Sequence, residues 1–292
     1  MKNFILLIRP KHWVKNLFVF MPLFFGGKIT DIILLQNTII SFFAFCFAAS
    51  AIYCYNDIID IENDRKHTEK CKRPIASGAV SVPVAYIIMA IMIFLSSVTI
   101  TLLNDYWNSL SIIIAMYLIM EIAYCHILKK YAIIDIITLS VGFIMRILAG
   151  SAVTCIVPSK WLILMTFLLT LFLGLAKRRD DVMIMLKTGV APRHNTHRYN
   201  ITFINQGITL TASVTLVCYI MYTLSPEVSE RIHFEHLYLT TIFVICGLLR
   251  YMQMTEINEC SGDPTKLIHE DHILQTIILF WIISFFIIIY LI

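Results

Sequence analysis

Residues 32–64, IILLQNTIISFFAFCFAASAIYCYNDIIDIEND, decide how this chain must be read. Ile32 to Tyr55 carry no charge and form a run long enough to cross a bilayer core, which takes about 20 residues of helix. The acidic stretch Asn56-Asp57-Ile58-Ile59-Asp60-Ile61-Glu62-Asn63-Asp64 then follows at once. On a helix at about 100° per residue, Asp57, Asp60 and Asp64 fall within roughly 60° of one another, and Glu62 points elsewhere. Like charges four apart, such as Asp60 and Asp64, weaken a bare helix. Three carboxylates on one stripe at a helix mouth therefore suggest a divalent cation, most naturally Mg2+ shared with a phosphorylated substrate. The competing reading is a helix end whose acids simply face water.

Composition sets the class. The 292 residues are 59% hydrophobic and 14% charged, with a mean hydropathy of +0.79. Soluble domains average about 25% charged residues, so the chain is an integral membrane protein, and uncharged runs of this length imply an all-α bundle. Nine spans are expected, at 13–27, 34–55, 83–103, 107–125, 133–153, 160–177, 203–224, 237–254 and 273–291. Lys15 and Pro22 interrupt the first, which is expected to be bent or partly re-entrant. A single domain over 1–292 is expected, with no separate soluble domain and no cleavable signal peptide. Cys46, Cys54, Cys71, Cys125, Cys155, Cys218, Cys246 and Cys260 show no metal-like spacing and read as small core residues.

Basic residues set the orientation. Of the 23 lysines and arginines, only Lys28, Lys160 and Arg231 fall on one face and Arg146 falls inside a span; all others lie on the opposite face. By the positive-inside rule the N-terminus and the acidic stripe face the cytoplasm, provided the number of spans is odd. The two long connections, about 56–82 and 177–202, are then both cytoplasmic, where function concentrates.

The first continues as Arg65-Lys66-His67-Thr68-Glu69-Lys70-Cys71-Lys72-Arg73-Pro74-Ile75-Ala76-Ser77-Gly78. Acids able to hold Mg2+ followed by bases able to hold phosphate oxygens read as a phosphate or diphosphate site. Topology and anionic-lipid contact account for part of the basic run. Four spans later comes Lys177-Arg178-Arg179-Asp180-Asp181. It reads equally as a helix-end salt bridge, Lys177 with Asp181, or as a cluster closing the site from the opposite direction. The four-helix interval hints at two related bundles facing a shared cavity. Within the spans, Arg146, Glu121 and Asp135 need partners. Arg146 reads as a buried ion pair or site residue, and Asp135, near a span end, as a merely interfacial acid. His12, His126, His194 and His197 form no coherent ligand set.

These segments carry a resemblance. NDIIDIENDRKH…KRPIASG resembles the UbiA superfamily of intramembrane prenyltransferases, whose first aspartate-rich motif has the form NDxxDxxxD. Residues 9–16 (RPKHWVKN), Gly142 to Arg146, Ser159-Lys160-Trp161, Lys177-Arg178-Arg179, Gly247 to Tyr251, and Gly262-Asp263-Pro264 with Asp271 resemble the decaprenyl-phosphate phosphoribosyltransferase branch. The likeness covers essentially the whole chain. Two departures stand out. The second DxxxD-type motif of aromatic prenyltransferases is replaced by KRRDD, which argues against the usual prenyl diphosphate binding. Thr68 stands where this branch often has proline.

The resemblance implies a UbiA-like bundle of about nine helices around a cytosol-facing cavity, in the plasma (inner) membrane. It implies transfer of 5-phosphoribose from phosphoribosyl pyrophosphate to a polyprenyl phosphate, serving cell-envelope glycan synthesis. The alternative is a prenyltransferase moving a prenyl group from its diphosphate to an aromatic or other small acceptor. Metal ligands would be Asp57, Asp60 and Asp64, holding Mg2+. Catalytic residues would be Asp57, Asp60, Lys15 and Arg178, with Asn56, Lys11, Arg65, Lys70, Arg73, Arg146, Lys177 and Arg179 binding substrate. Partners would be the donor, the polyprenyl phosphate and membrane lipids, with no nucleic acid; a homo-oligomer stays open.

Overall fold

Asp31 starts the helix that carries the acidic stripe. Its carboxylate accepts from the N–H groups of Ile33 (3.0 Å) and Leu34 (3.1 Å) and caps α1, Ile32–Ile59. In the computed structural model, residues 2–65, 70–103, 105–193, 195–232, 234, 236–257, 267 and 270–291 are described. Lys66 to Glu69, His194, and Gly262-Asp263-Pro264 of the sequence motifs lie outside them, as do Cys260 and Lys266.

Seven further long helices follow: α2 Val82–Thr101, α3 Trp107–His126, α4 Ile134–Thr154, α5 Lys160–Thr188, α6 Ile201–Thr223, α7 Thr241–Glu256 and α8 His272–Tyr290. With the 3-10 turn Leu237–Thr240 extending α7, these eight are long and apolar enough to cross a membrane. No strand occurs among the described residues. Their outward faces are greasy; Leu279, Phe280, Ile283, Phe286 and Ile287 of α8 are all exposed, as a lipid-facing helix requires.

The expected first span takes a different form. Pro10–Phe20 is a 3-10 helix and Met21–Phe25 a short α-helix, because Pro22 and Gly26-Gly27 prevent one continuous element. The segment nevertheless traverses. Arg9 pairs with Asp57, Trp13 with Ser50, Asn16 with Cys46 and Phe20 with Phe42, an antiparallel register running down α1. Arg9 therefore sits at one end of α1 and Asp31 at the other, about 40 Å apart at 1.5 Å per residue.

Contacts divide the chain into two compact units, Met1–Lys129 with Gly142–Pro158, and Lys130–Val141 with Ser159–Ile292. In the first, α1 packs against α2, α3 and the 3-10 segment. Gly150 lets the backbone of α4 approach that segment, since a Cβ there would fall 1.9 Å from the Val19 carbonyl oxygen. In the second, α5 packs on α6 and α7 on α8, around Phe172, Leu175, Ile204, Ile208, Tyr251 and Leu274.

Both charged connections are more helical than their composition suggested. α1 runs through Ile59 and a further turn covers Ile61–Arg65; α5 continues past the hydrocarbon length to Thr188. Backbone hydrogen bonds continue once the apolar run stops, and pairs such as Arg178 with Asp181 reinforce the extension.

Candidate functional site

In the first unit, an apolar patch aims the charges. Leu7, Cys54, Ile58, Ile75, Val80, Ala85 and Ile88 form a buried cluster. KRPIASG folds onto it as a tight turn: the Ser77 N–H donates to the Arg73 carbonyl (2.9 Å), and the Val80 N–H to that of Pro74 (2.9 Å). Gly78 takes a positive φ of 78° to close it. Anchored by Ile75, the turn directs Arg73 back at the end of α1.

Asp57 is the centre of what results, 2% exposed. Its Oδ1 accepts from Arg9 Nη2 (2.6 Å) and from Arg73 Nη1 (3.0 Å). Arg73 Nη1 also donates to Asp64 Oδ2 at 2.7 Å, bridging two carboxylates. Burial pushes the Asp64 carboxyl up from its ordinary value, with Arg73 pulling against it. Asp60 diverges from this pair: it terminates α1 and accepts from Lys129 Nζ at 2.6 Å. Asn56 accepts from the Cys125 thiol (3.4 Å). Glu62 points away and pairs with Arg65 at an exposed position, as the helical wheel requires. Arg65 also donates to the Ala76 carbonyl at 3.3 Å. Lys70 sits at the start of the 3-10 turn whose carbonyl receives the Arg73 N–H (3.0 Å).

The stripe thus splits two and one. Among the described residues no three acids, histidines or cysteines converge as a metal cluster. The chemistry of the pocket still fits a cation at Asp57. Its Oδ2 is sealed from solvent and has no hydrogen-bond partner among the described residues, a buried acceptor that Mg2+ would satisfy.

Deeper in the same unit, Arg146 is buried and donates through Nε to Asn16 Oδ1 (2.7 Å) and through Nη1 to the Gly142 carbonyl (2.6 Å). Three rings surround its guanidinium: Phe45 at 4.9 Å, Tyr117 at 5.2 Å and Phe143 at 5.3 Å. The partners of this intramembrane arginine are thus an amide, a carbonyl, the Tyr117 hydroxyl (3.4 Å) and aromatic faces. Lys15 is half-buried and Lys11 exposed on the 3-10 segment.

In the second unit the KRR cluster turns inward. Arg178 is 2% exposed and donates to Asp135 Oδ2 (2.7 Å) and Asp181 Oδ2 (3.0 Å). Arg193 Nε lies 2.8 Å from the same Asp181 oxygen, out of hydrogen-bond alignment, so this contact is an ion pair only. Asp135 is not a loosely placed interfacial acid. It is buried and also accepts from Asn195 Nδ2 (2.9 Å) and the Tyr199 hydroxyl (3.0 Å). The same hydroxyl accepts the Ile133 N–H (2.6 Å), holding a β-branched residue at φ 70°. Burial pushes the Tyr199 phenol up. Arg179 donates to Asn205 Oδ1 (3.0 Å) and the Thr255 carbonyl (2.6 Å). Lys177 is half-buried, and the Asp181 contacts seen are with Arg178 and Arg193.

The structure therefore brings together Asp57, Asp64 and Arg73, with Asp60 and Asn56 beside them, and sets Arg178 and Arg179 into protein contacts. Two members of the acidic pocket escaped sequence reasoning. Arg9 had a signal, since it opens the RPKHWVKN stretch. Lys129 had none, because its contact lies 69 residues away in the chain.

Comparison with known proteins agrees with this architecture. Residues 18–255 match the UbiA prenyltransferase family. The chain is 31% identical over 282 residues to the decaprenyl-phosphate phosphoribosyltransferase of Mycobacterium tuberculosis, covering 94% of this chain and 90% of that protein. Against the protein of the same name from Corynebacterium glutamicum the identity is 31% over 281 residues, with 94% and 83% covered. In fold it is similar to a UbiA homologue from Archaeoglobus fulgidus solved with GPP and Mg2+, with a TM-score of 0.71 at 18% identity over 98% of this chain and 99% of that one. A multi-pass helical membrane protein with the NDxxDxxxD stripe and this match over most of its length, the chain is a transferase that belongs to the UbiA prenyltransferase family.

Proposed function

We propose that the chain transfers 5-phosphoribose from phosphoribosyl pyrophosphate to a polyprenyl phosphate of the decaprenyl type, in a Mg2+-dependent reaction at the acidic pocket. Pyrophosphate is released, and the lipid product serves cell-envelope glycan synthesis. The observation that carries the reading is Asp57: one oxygen fixed by Arg9 and Arg73, the other buried with no partner among the described residues. The likeness over 94% of the chain to phosphoribosyltransferases supports the choice of donor.

Asp57 would hold the metal with Asp64, its neighbour across Arg73, while Asp60 would join them only by giving up its pairing with Lys129, and bound Mg2+ would supply Lewis-acid stabilisation of the diphosphate. Arg9 and Arg73 fix the Asp57 carboxylate and present guanidinium groups, partly open at 19% and 27% exposed, to phosphate oxygens. Lys11, Lys15, Arg65 and Lys70 line the same unit as further phosphate contacts, and Asn56 orients the pocket from its place beside Asp57. In the transfer, the bond from ribose C1 to the pyrophosphate oxygen breaks with its electron pair leaving on pyrophosphate. A polyprenyl phosphate oxygen forms the new bond to C1 from the opposite face. That oxygen is already anionic, so the step needs no strong general base. Arg178 and Arg179 act at a distance, holding the helices and loop around Asp135 and Thr255. The pocket faces the cytoplasm of the plasma membrane, as the basic residues of 56–82 and 177–202 favour.

The test supplies membranes containing the protein with Mg2+, labelled phosphoribosyl pyrophosphate and polyprenyl phosphate. Label is expected in the lipid fraction with release of pyrophosphate. No lipid-linked label, together with prenyl transfer from a prenyl diphosphate to a small acceptor, would overturn the assignment.

A further inference from the structure

The buried face of α3 repeats every three to four residues: Leu110, Ile114, Tyr117, Glu121 and Cys125. Cys125 touches Asn56, the neighbour of Asp57. Glu121 therefore lies one helical turn deeper than the acidic pocket, on the same interior face. It is 8% exposed, yet makes no hydrogen bond or ion pair among the described residues. A buried carboxylate in a membrane-spanning segment without a donor is an unmet acceptor.

Its surroundings narrow what fills it. Arg146 and Lys15 are the cations whose charge reaches Glu121. The Arg146 N–H groups are directed to Asn16, the Gly142 carbonyl and Tyr117. Gly142 brings the two groups side by side, for a Cβ there would stand 3.5 Å from Glu121 Oε1 and 3.4 Å from Arg146 Nη1, both ordinary contact distances. Arg146 and Lys15 already offset the Glu121 charge, so the group calls for neither a further cation nor an anion. An isoprene chain carries no donor. A neutral hydroxyl fits all three constraints.

We infer that Glu121 accepts hydrogen bonds from the ribose hydroxyls of the donor and so selects a sugar over a prenyl diphosphate. This assignment rests on the proposed function and makes Glu121 a specificity-determining residue of the same pocket. The isosteric Glu121→Met removes the acceptor and the buried charge together, which preserves packing. Glu121→Gln keeps one acceptor oxygen.

The experiment compares kcat/KM for phosphoribosyl pyrophosphate and for its 2-deoxy and 3-deoxy analogues in wild type and both variants. Loss of a hydrogen bond to a charged group lowers the wild-type value roughly 10- to 150-fold for at least one analogue. In E121M that penalty is expected to shrink to about threefold or less, with an intermediate penalty in E121Q; a general packing defect would slow all donors alike and leave the ratio unchanged. Equal penalties in wild type and E121M, or none in wild type, overturn the assignment while leaving the proposed function standing. If E121M does not accumulate, E121Q decides: a reduced penalty supports the assignment and an unchanged one overturns it. Absence of any transfer from phosphoribosyl pyrophosphate in wild type overturns both together.

Discussion

Replacing Asp135 with alanine tests whether the KRR cluster is built as a structural lock. The Arg178 and Asp135 side chains are 2% and 1% exposed, and their ion pair is 2.7 Å long. Asp135 also satisfies Asn195 and Tyr199, so its removal strands three donors at once. Breaking one side of a buried pair costs about 3–5 kcal/mol, because the remaining charge is left desolvated. Asp181 still faces Arg178, which argues for the lower half of that range. At roughly 2–4 °C per kcal/mol for proteins of 150–250 residues, the midpoint should fall by roughly 6–16 °C. Thermal unfolding in detergent, followed with a thiol-reactive fluorophore, reads this directly, since Cys46, Cys54, Cys125 and Cys218 are buried free thiols. Arg178→Met should destabilise similarly, and D135A/R178M should cost less than the sum by more than about 0.5 kcal/mol, the scatter expected of independent sites. A fall below about 2 °C in D135A, or strict additivity in the double variant, would refute the lock.

Asp57→Asn should reduce Mg2+-dependent transfer at least 100-fold, a loss above the roughly 10–100-fold typical of groups one step removed from a metal; labelled-donor assays across a Mg2+ titration check it, and near-wild-type turnover would remove the acidic pocket from the mechanism. Gly150→Ala places a Cβ 1.9 Å from the Val19 carbonyl oxygen, so the 3-10 segment must move. Its cost should reach or exceed the upper end of the roughly 1–3 kcal/mol usual for overpacking, read as a lower unfolding midpoint. Arg250 and the Leu274 N–H hold Asp271 below the usual carboxylate range. A depressed carboxyl contributes stability that is complete above its unfolded pKa, near 4, and drains away as pH falls through the folded value. Wild type should therefore lose more of its midpoint than D271N between pH 6 and pH 3.

The helices were legible because a bilayer imposes a simple demand. Any uncharged run near 20 residues must satisfy its own backbone, and the runs beginning near 32, 83, 107 and 160 do so as α-helices. The N-terminal segment was harder. Pro22 and the Gly26-Gly27 pair deny it a regular helix, and only its side-chain register against α1 reveals the crossing. The wheel argument for the acids held for Glu62 and for Asp57 with Asp64, but the helix ends at Asp60 and sends that carboxylate to Lys129. No periodicity extends through a helix terminus, so this divergence was not readable in advance.

By itself, the sequence determined the medium, the all-helical class and the family, because hydropathy and the acid–base motifs are local properties of the chain. Only the tertiary structure decided which charges meet. Arg9 and Arg73 reach Asp57 across 48 and 16 residues, and Arg178 reaches Asp135 across 43. Inside a membrane-spanning bundle, burying a charge without a partner is so costly that packing selects the pairs, and packing joins residues that the linear order keeps apart. KRR was an open cluster in the linear text and is an internal lock in the fold. Asp57 moved the other way, from one acid among several to the buried carboxylate with an oxygen still to be satisfied.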